Sequence, residues 1–178
     1  TCRATMVQTL ERLAGAGVEA QPHPWLPDCL VLSGTGNLEH LTAFREGLFY
    51  IQDPAARLAV EVADPKPGMK VLDACAAPGG KSFASAIRMK GEGEIQSCDI
   101  HAHKEKLIQA GAERLGFTCI KTAVMDGKKH RPAFENAFDV VIADVPCSGL
   151  GIIRKKPDIR YKDPEPLAGL PEVQSAIL

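Results

Sequence analysis

Short apolar runs alternate with longer segments whose apolar positions recur three and four apart, the signatures of buried strands and amphipathic helices. From residue 53 onward the pattern predicts strands over Lys70 to Ala74, Glu94 to Cys98, Phe117 to Val124 and Phe138 to Ala143. Helices are predicted over Lys81 to Met89 and Lys104 to Leu115, the second stopped by Gly116. Another helix opens at Asp53-Pro54, where Asp is a good N-cap and Pro in the first turn loses no needed donor. Its apolar stripe is Ala55, Leu58, Ala59 and Val62, and Pro65, Pro67 and Gly68 end it. Strands alternating with helices argue for an α/β protein with a parallel sheet covered on both faces. Right-handed crossovers place the strands in the order 3-2-1-4, a Rossmann-like arrangement. The first and fourth strands then flank the switch point, where ligands bind above the carboxyl ends.

The first 52 residues read as a small α+β element. Met6 to Ala16 has helical spacing, a Pro-rich stretch follows (Pro22, Pro24, Pro27), and Cys29 to Leu32 and Leu48 to Gln52 are predicted strands. No chemical motif lies there. The expected division is therefore 1–52 as an N-terminal element and 53–178 as a partial Rossmann-like domain.

Candidate chemistry gathers at the predicted strand ends. Each carries an acid: Asp73, Asp99, Asp126 and Asp144. The first turn, Cys75-Ala76-Ala77-Pro78-Gly79-Gly80-Lys81, is small and glycine-containing, so a ligand can approach the backbone and the N-terminus of the following helix. Asp99 lies some twenty residues beyond Gly79, the offset at which an acid accepts hydrogen bonds from ribose hydroxyls. Together these features imply a nucleoside cofactor. Gly80-Lys81-Ser82 is close to a P-loop ending, which makes a nucleotide hydrolase the rival. A P-loop needs glycine where Cys75 stands, and Pro78 removes an N–H from a loop that should offer them. A dinucleotide oxidoreductase lacks its G-x-G-x-x-G. S-adenosylmethionine, with a ribose, an adenine, a carboxylate and an amine, needs less phosphate-type cradling.

A second signal is Asp144-Val145-Pro146-Cys147-Ser148-Gly149, which displays a thiol just past the fourth strand. Beyond it, Arg154, Lys155, Lys156, Arg160 and Lys162 stand against Asp158 alone, a local basic patch suited to RNA phosphates. The formal net charge of −1 gives no global sign of nucleic acid, so such a surface must be local. The six cysteines include no C-x-x-C pair, and three fall in apolar runs. Reduced thiols in a cytoplasmic protein are expected, with no metal site. No apolar run reaches the length of a membrane span.

Val71 to Lys81 resembles the cofactor motif of the Sun/Nop family of RNA cytosine-C5 methyltransferases, and Asp144 to Gly149 resembles that family's Pro-Cys motif. Gly151 to Tyr161 is similar to the bacterial small-subunit ribosomal RNA methyltransferase B branch, and Gln52-Asp53 fits as well. The resemblance implies that Cys75 to Lys81 surround the methionine part of S-adenosylmethionine. It implies Asp99 at the ribose, Asp126 near the adenine and Asp144 near the reacting end. Pro146 and Cys147 become the motif-four turn, whose cysteine helps release methylated product, and 16S-type ribosomal RNA becomes the substrate. The family's attacking nucleophile is a second cysteine, in a Thr-Cys-Ser-like turn after a fifth strand, and no such turn stands in this sequence. The expectation is a fragment that binds cofactor weakly or partially and does not transfer methyl alone. Its fourth strand would be a bare edge inviting self-association. A non-catalytic module binding S-adenosylmethionine and RNA is the other reading kept.

Overall fold

The computed structural model of the chain describes residues 3–161, 163 and 165–178. It opens with helix α1 (Met6–Gly15), hairpin strands β1 (Glu19–Pro22) and β2 (Leu30–Ser33), and a short helix α2 (Thr42–Arg45). Helix α3 (Pro54–Ala63) follows, then β3 (Lys70–Asp73), α4 (Gly80–Arg88), β4 (Glu94–Asp99), α5 (Ala102–Leu115), β5 (Ile120–Val124) and β6 (Val140–Ile142). Helix α6 (Leu170–Ile177) closes the chain. Strands β3 to β6 form one parallel sheet in the order β5-β4-β3-β6, which is the predicted 3-2-1-4 arrangement.

Among the described residues, the crossover α-helices cover one face of the sheet and not both. Both α4 and α5 pack on the face carrying Val71 and Ile95, with Phe83, Met89, Ile108 and Leu115 in that core. The reason is geometric: two right-handed crossovers stepping in the same direction across a sheet leave their helices on the same side. The opposite face, with Leu72, Ala74 and Cys98, is covered by Phe134 and Phe138 from the loop before β6.

Local chemistry sets the helix ends. Asp53 accepts from the Ala55 amide at 2.9 Å, as the Asp-Pro signature predicted. Gly116 adopts the left-handed conformation that ends α5, and Phe117 bonds back to the Ala112 carbonyl. Phe117 therefore enters the core instead of the sheet, and β5 starts three residues later than the apolar run suggested.

Two further differences lie in the first 52 residues. A strand not predicted, β1, precedes the Pro-rich stretch and ends at its first proline, paired antiparallel with β2 from Glu19↔Ser33 to Pro22↔Leu30. Leu48 to Gln52, predicted as a strand, is irregular backbone. The Phe49 carbonyl instead accepts from Arg114 Nη1 at 3.1 Å, and the same nitrogen donates to Phe44 O at 2.5 Å. The Arg114 guanidinium lies 4.1 Å above the centre of the Phe44 ring. In return, Arg3 donates to the Glu113 and Arg114 carbonyls at 2.7 and 2.6 Å, satisfying the end of α5. These contacts seat the N-terminal element on the sheet domain.

Among the described residues, no helix is long and apolar enough to cross a membrane. Replacing Arg114 by Ala removes two charged hydrogen bonds and a cation–ring contact at this seam. Urea unfolding of Arg114→Ala should show a loss of about 2–3 kcal/mol, and a loss below about 0.5 kcal/mol would contradict this account of the seam.

Candidate functional site

Parallel pairing brings four carboxyl ends to one edge of the sheet. Asp73 ends β3, in register with Ser97 on one side and Ile142 on the other, and Asp99 ends β4. Asp126 and Asp144 each stand just beyond the last residues of β5 and β6, Val124 and Ile142. The four acids singled out in the sequence thus share this edge.

Asp73 is 0% exposed. Ser82 Oγ donates to its Oδ2 at 2.7 Å, and Ser97 Oγ donates to Ser82 Oγ at 2.7 Å. This chain of hydroxyls ties β3, α4 and β4 together directly beneath the first turn. Loss of hydration disfavours the carboxylate and pushes its pKa up to about 6, with the Ser82 hydrogen bond pulling the other way.

The turn from Cys75 to Gly80 folds over this network. The Ala76 amide bonds to Cys98 O at 2.8 Å, and the Gly79 amide to Ala76 O at 2.6 Å. Gly79 has φ +106°, and a Cβ there would sit 2.4 Å from the Phe83 ring, so only glycine fits. Gly79 also brings no side-chain cap to α4. Cys75 is half-buried; desolvation first, then the carboxylates of Asp99, Asp73 and Asp144, push its thiol up and keep it protonated.

A cleft of about 190 Å³ opens above the turn. Cys75, Ala76, Ala77, Pro78, Gly80 and Lys81 line it together with Asp73 and Asp144, and Gln52 and Asp53 complete the lining from the segment before α3. Lys81 Nζ meets Asp144 Oδ2 at 2.5 Å, with the lysine mostly enclosed and the aspartate open. Asp99 and Asp126 lie along the same sheet edge but do not line this cleft. Each accepts from a backbone amide of its own turn, Asp99 Oδ1 from His101 at 3.0 Å and Asp126 Oδ1 from Lys128 at 3.1 Å.

Five buried side-chain atoms among the described residues lack a hydrogen-bond partner. Three belong to Arg57 and Glu61, which form an ion pair at 2.6 Å. The other two are Asp73 Oδ1, an acceptor, and Gln52 Nε2, a donor, and both residues line the cleft. A larger cavity of about 710 Å³ runs along the seam between the N-terminal element and α4. Its walls are mainly apolar, none of the four strand-end acids lines it, and it shares Ile51 and Gln52 with the smaller cleft.

Cys147 is exposed on the turn after β6, and Gln174 Nε2 of α6 donates to Pro146 O at 2.8 Å. Beyond it, Arg154, Lys155, Lys156 and Arg160 are all exposed, while Ile159 is buried and anchors the segment. Lys155 is paired with Asp53, which links the basic segment to the N-cap of α3. Lys162 lies outside the described residues. Ser97 and the orphan atom of Gln52 were not singled out from the sequence, and Ser82 was read only as part of a P-loop-like ending. The Gln-Asp pair before α3 hinted at Gln52. Among the described residues, no group of three or more His, Cys, Asp or Glu side chains could hold a metal ion.

The family model of the 16S rRNA methyltransferase RsmB/F family matches residues 60–178. The chain belongs to this family. A Bacillus subtilis (strain 168) protein, described as a probable ribosomal RNA small subunit methyltransferase B, is 43% identical over 179 residues, covering 99% of this chain and 40% of its own length. The solved structure of PH0851 superposes with a TM-score of 0.90 at 31% identity, covering 99% of this chain and 40% of that one. NSun6 from Pyrococcus horikoshii, solved with SFG, gives a TM-score of 0.70 at 28% identity over 78% of this chain and 35% of its own. The RsmB/F match takes in the Asp73 network, the glycine turn and the Pro-Cys turn. The chain spans about 40% of the length of the curated relatives it matches.

The buried carboxyl sets a pH signature. Its pKa in the unfolded chain is about 3.9, and in the fold about 6. Between those values the native state holds a proton that the unfolded chain has lost, so stability falls as pH rises from about 4 to 6 and then levels. The fall should be on the order of 2–3 kcal/mol for this group. Urea unfolding from pH 4 to 7 reads it by difference: Asp73→Asn should lack this component, and superposable profiles would contradict the assignment.

Proposed function

We propose that this chain is the cofactor-binding part of an S-adenosylmethionine-dependent methyltransferase acting on cytosine C5 of 16S-type ribosomal RNA. One observation carries the reading: Asp73, with its unpartnered acceptor Oδ1, lines the same cleft as the start of α4, which has no side-chain cap at Gly79, at the switch between β3 and β6. An ammonium group suits the first and a carboxylate the second. The name of the Bacillus subtilis relative supports the RNA substrate.

When bound, the cofactor supplies an electrophilic sulfonium methyl group. The chain's own residues hold and shield it. Cys75 to Lys81 wrap its amino-acid end, and Asp73 takes the ammonium. Asp99 keeps its Oδ2 for the ribose hydroxyls, since Oδ1 is engaged by the His101 amide. Asp126 stands further along the sheet edge, near the adenine. Lys81 and Asp144 close the reacting end, and the Cys147 thiol, on its Gln174-held turn, faces a base drawn out of its stack. Cys147 takes the product-release role, and the Thr-Cys-Ser-like turn that carries the family's attacking cysteine does not occur in this sequence. Arg154, Lys155, Lys156 and Arg160 supply phosphate contacts, together with Lys162. The surface pair between Lys155 and Asp53 is exposed on both sides and is readily exchanged for phosphate.

In this arrangement residues 53–178 make the partial Rossmann-like domain, and 1–52 the element that braces it. Strand β6 is the outer strand of the sheet, with Val141 60% exposed, and self-association is proposed through that edge.

Thermal shift should show stabilisation by S-adenosylmethionine and none by Mg-ATP. Asp99→Ala should weaken cofactor binding by about 1.5–3 kcal/mol. The chain alone should transfer no labelled methyl to ribosomal RNA. Stabilisation by Mg-ATP alone would overturn the cofactor, an unchanged Asp99→Ala affinity would remove that residue from the site, and label in RNA would refute the inactivity.

A further inference from the structure

Gln52 carries a second, more specific message. Its side-chain Oε1 accepts from Tyr50 Oη at 2.7 Å. Tyr50 is mostly buried, and loss of hydration pushes its phenol far above the usual range, so it remains a neutral donor. A donor on that side fixes the amide: the oxygen faces Tyr50, and the NH2 group must face away. Away from Tyr50 lies the cleft. A Cβ on Gly80 would sit 3.4 Å from Gln52 Nε2, so the amide rests directly against the first residue of α4. Nε2 is buried and has no hydrogen-bond partner among the described residues.

A buried NH2 without an acceptor is costly. Asp73, whose Oδ1 is the other unpartnered atom, lines the same cleft. The cleft's lining thus includes a residue with spare donor hydrogens and a residue with a spare acceptor. An α-amino acid group presents the complementary set, a carboxylate beside an ammonium. We propose that Gln52, oriented by Tyr50, donates to the carboxylate at the amino-acid end of the cofactor and so selects ligands that carry one. This rests on the cofactor reading above and assigns a role to a residue outside the glycine turn and the strand-end acids.

The test compares two adenosyl thioethers, S-adenosylhomocysteine, which has the amino-acid group, and 5′-methylthioadenosine, which lacks it. Affinities of the full chain and its variants are measured by titration calorimetry. Gln52→Leu should weaken S-adenosylhomocysteine binding roughly tenfold or more and leave 5′-methylthioadenosine unchanged. Gln52→Glu, which sets an anion against the carboxylate, should weaken it further with the same selectivity. Tyr50→Phe frees the amide to turn over and should give a smaller loss, again confined to S-adenosylhomocysteine. Equal loss for both ligands would make Gln52 a packing residue and overturn the proposal, as would unchanged S-adenosylhomocysteine affinity in Gln52→Leu. Failure of the unaltered chain to bind S-adenosylhomocysteine would instead sink the cofactor reading itself, and this proposal with it.

Discussion

The site depends on a carboxyl group that has been taken out of water. Asp73 is sealed at the end of β3, and its one hydrogen-bonded oxygen is held by Ser82, which Ser97 holds in turn. Three elements are thereby fixed at one point: the strand that leads into the turn, the helix that leaves it, and the neighbouring strand. The other oxygen has no partner and belongs to a residue of the cleft wall. An unpaired buried acceptor is destabilising in the empty site and favourable once a donor arrives. The same group that organises the turn therefore carries a demand for a cationic ligand.

Glycine and aromatic packing complete the constraint. Phe83 of α4 is wedged between Gly79 and Gly111, at each of which a Cβ would come within about 2.5 Å of the ring. The ring stacks on Phe117 and meets Tyr50 edge-on. Tyr50 in turn orients Gln52. Core packing and the cleft are thus mechanically continuous, running from α5 through Phe83 and Tyr50 to the Gln52 amide.

Much of this was legible in the sequence, for definite reasons. A parallel sheet leaves few choices once crossovers are right-handed, so the order β5-β4-β3-β6 followed from the alternation of apolar runs. Acids at successive strand ends converge because the strands are parallel, and Asp53 and Gly116 act locally as cap and stop. Long-range partners were not legible. The segment Leu48 to Gln52 reads as a strand, yet Arg114 claims the Phe49 carbonyl from a helix far along the chain. Pairing of Ser82 with Ser97 beneath Asp73 depends on how α4 sits over β4, which apolar spacing does not encode. The role of Gln174 at Pro146 is hidden for the same reason.

The central claim is that an adenosyl amino acid lies across the carboxyl ends of β3, β4 and β6. Backbone amide NMR of the chain, titrated with S-adenosylhomocysteine, tests it residue by residue. Perturbations should concentrate at Asp73 to Lys81 and at Asp99, Asp126 and Asp144, with the apolar seam lined by Leu30, Leu48 and Ile87 left undisturbed. Shifts confined to that seam, with the strand ends silent, would contradict it.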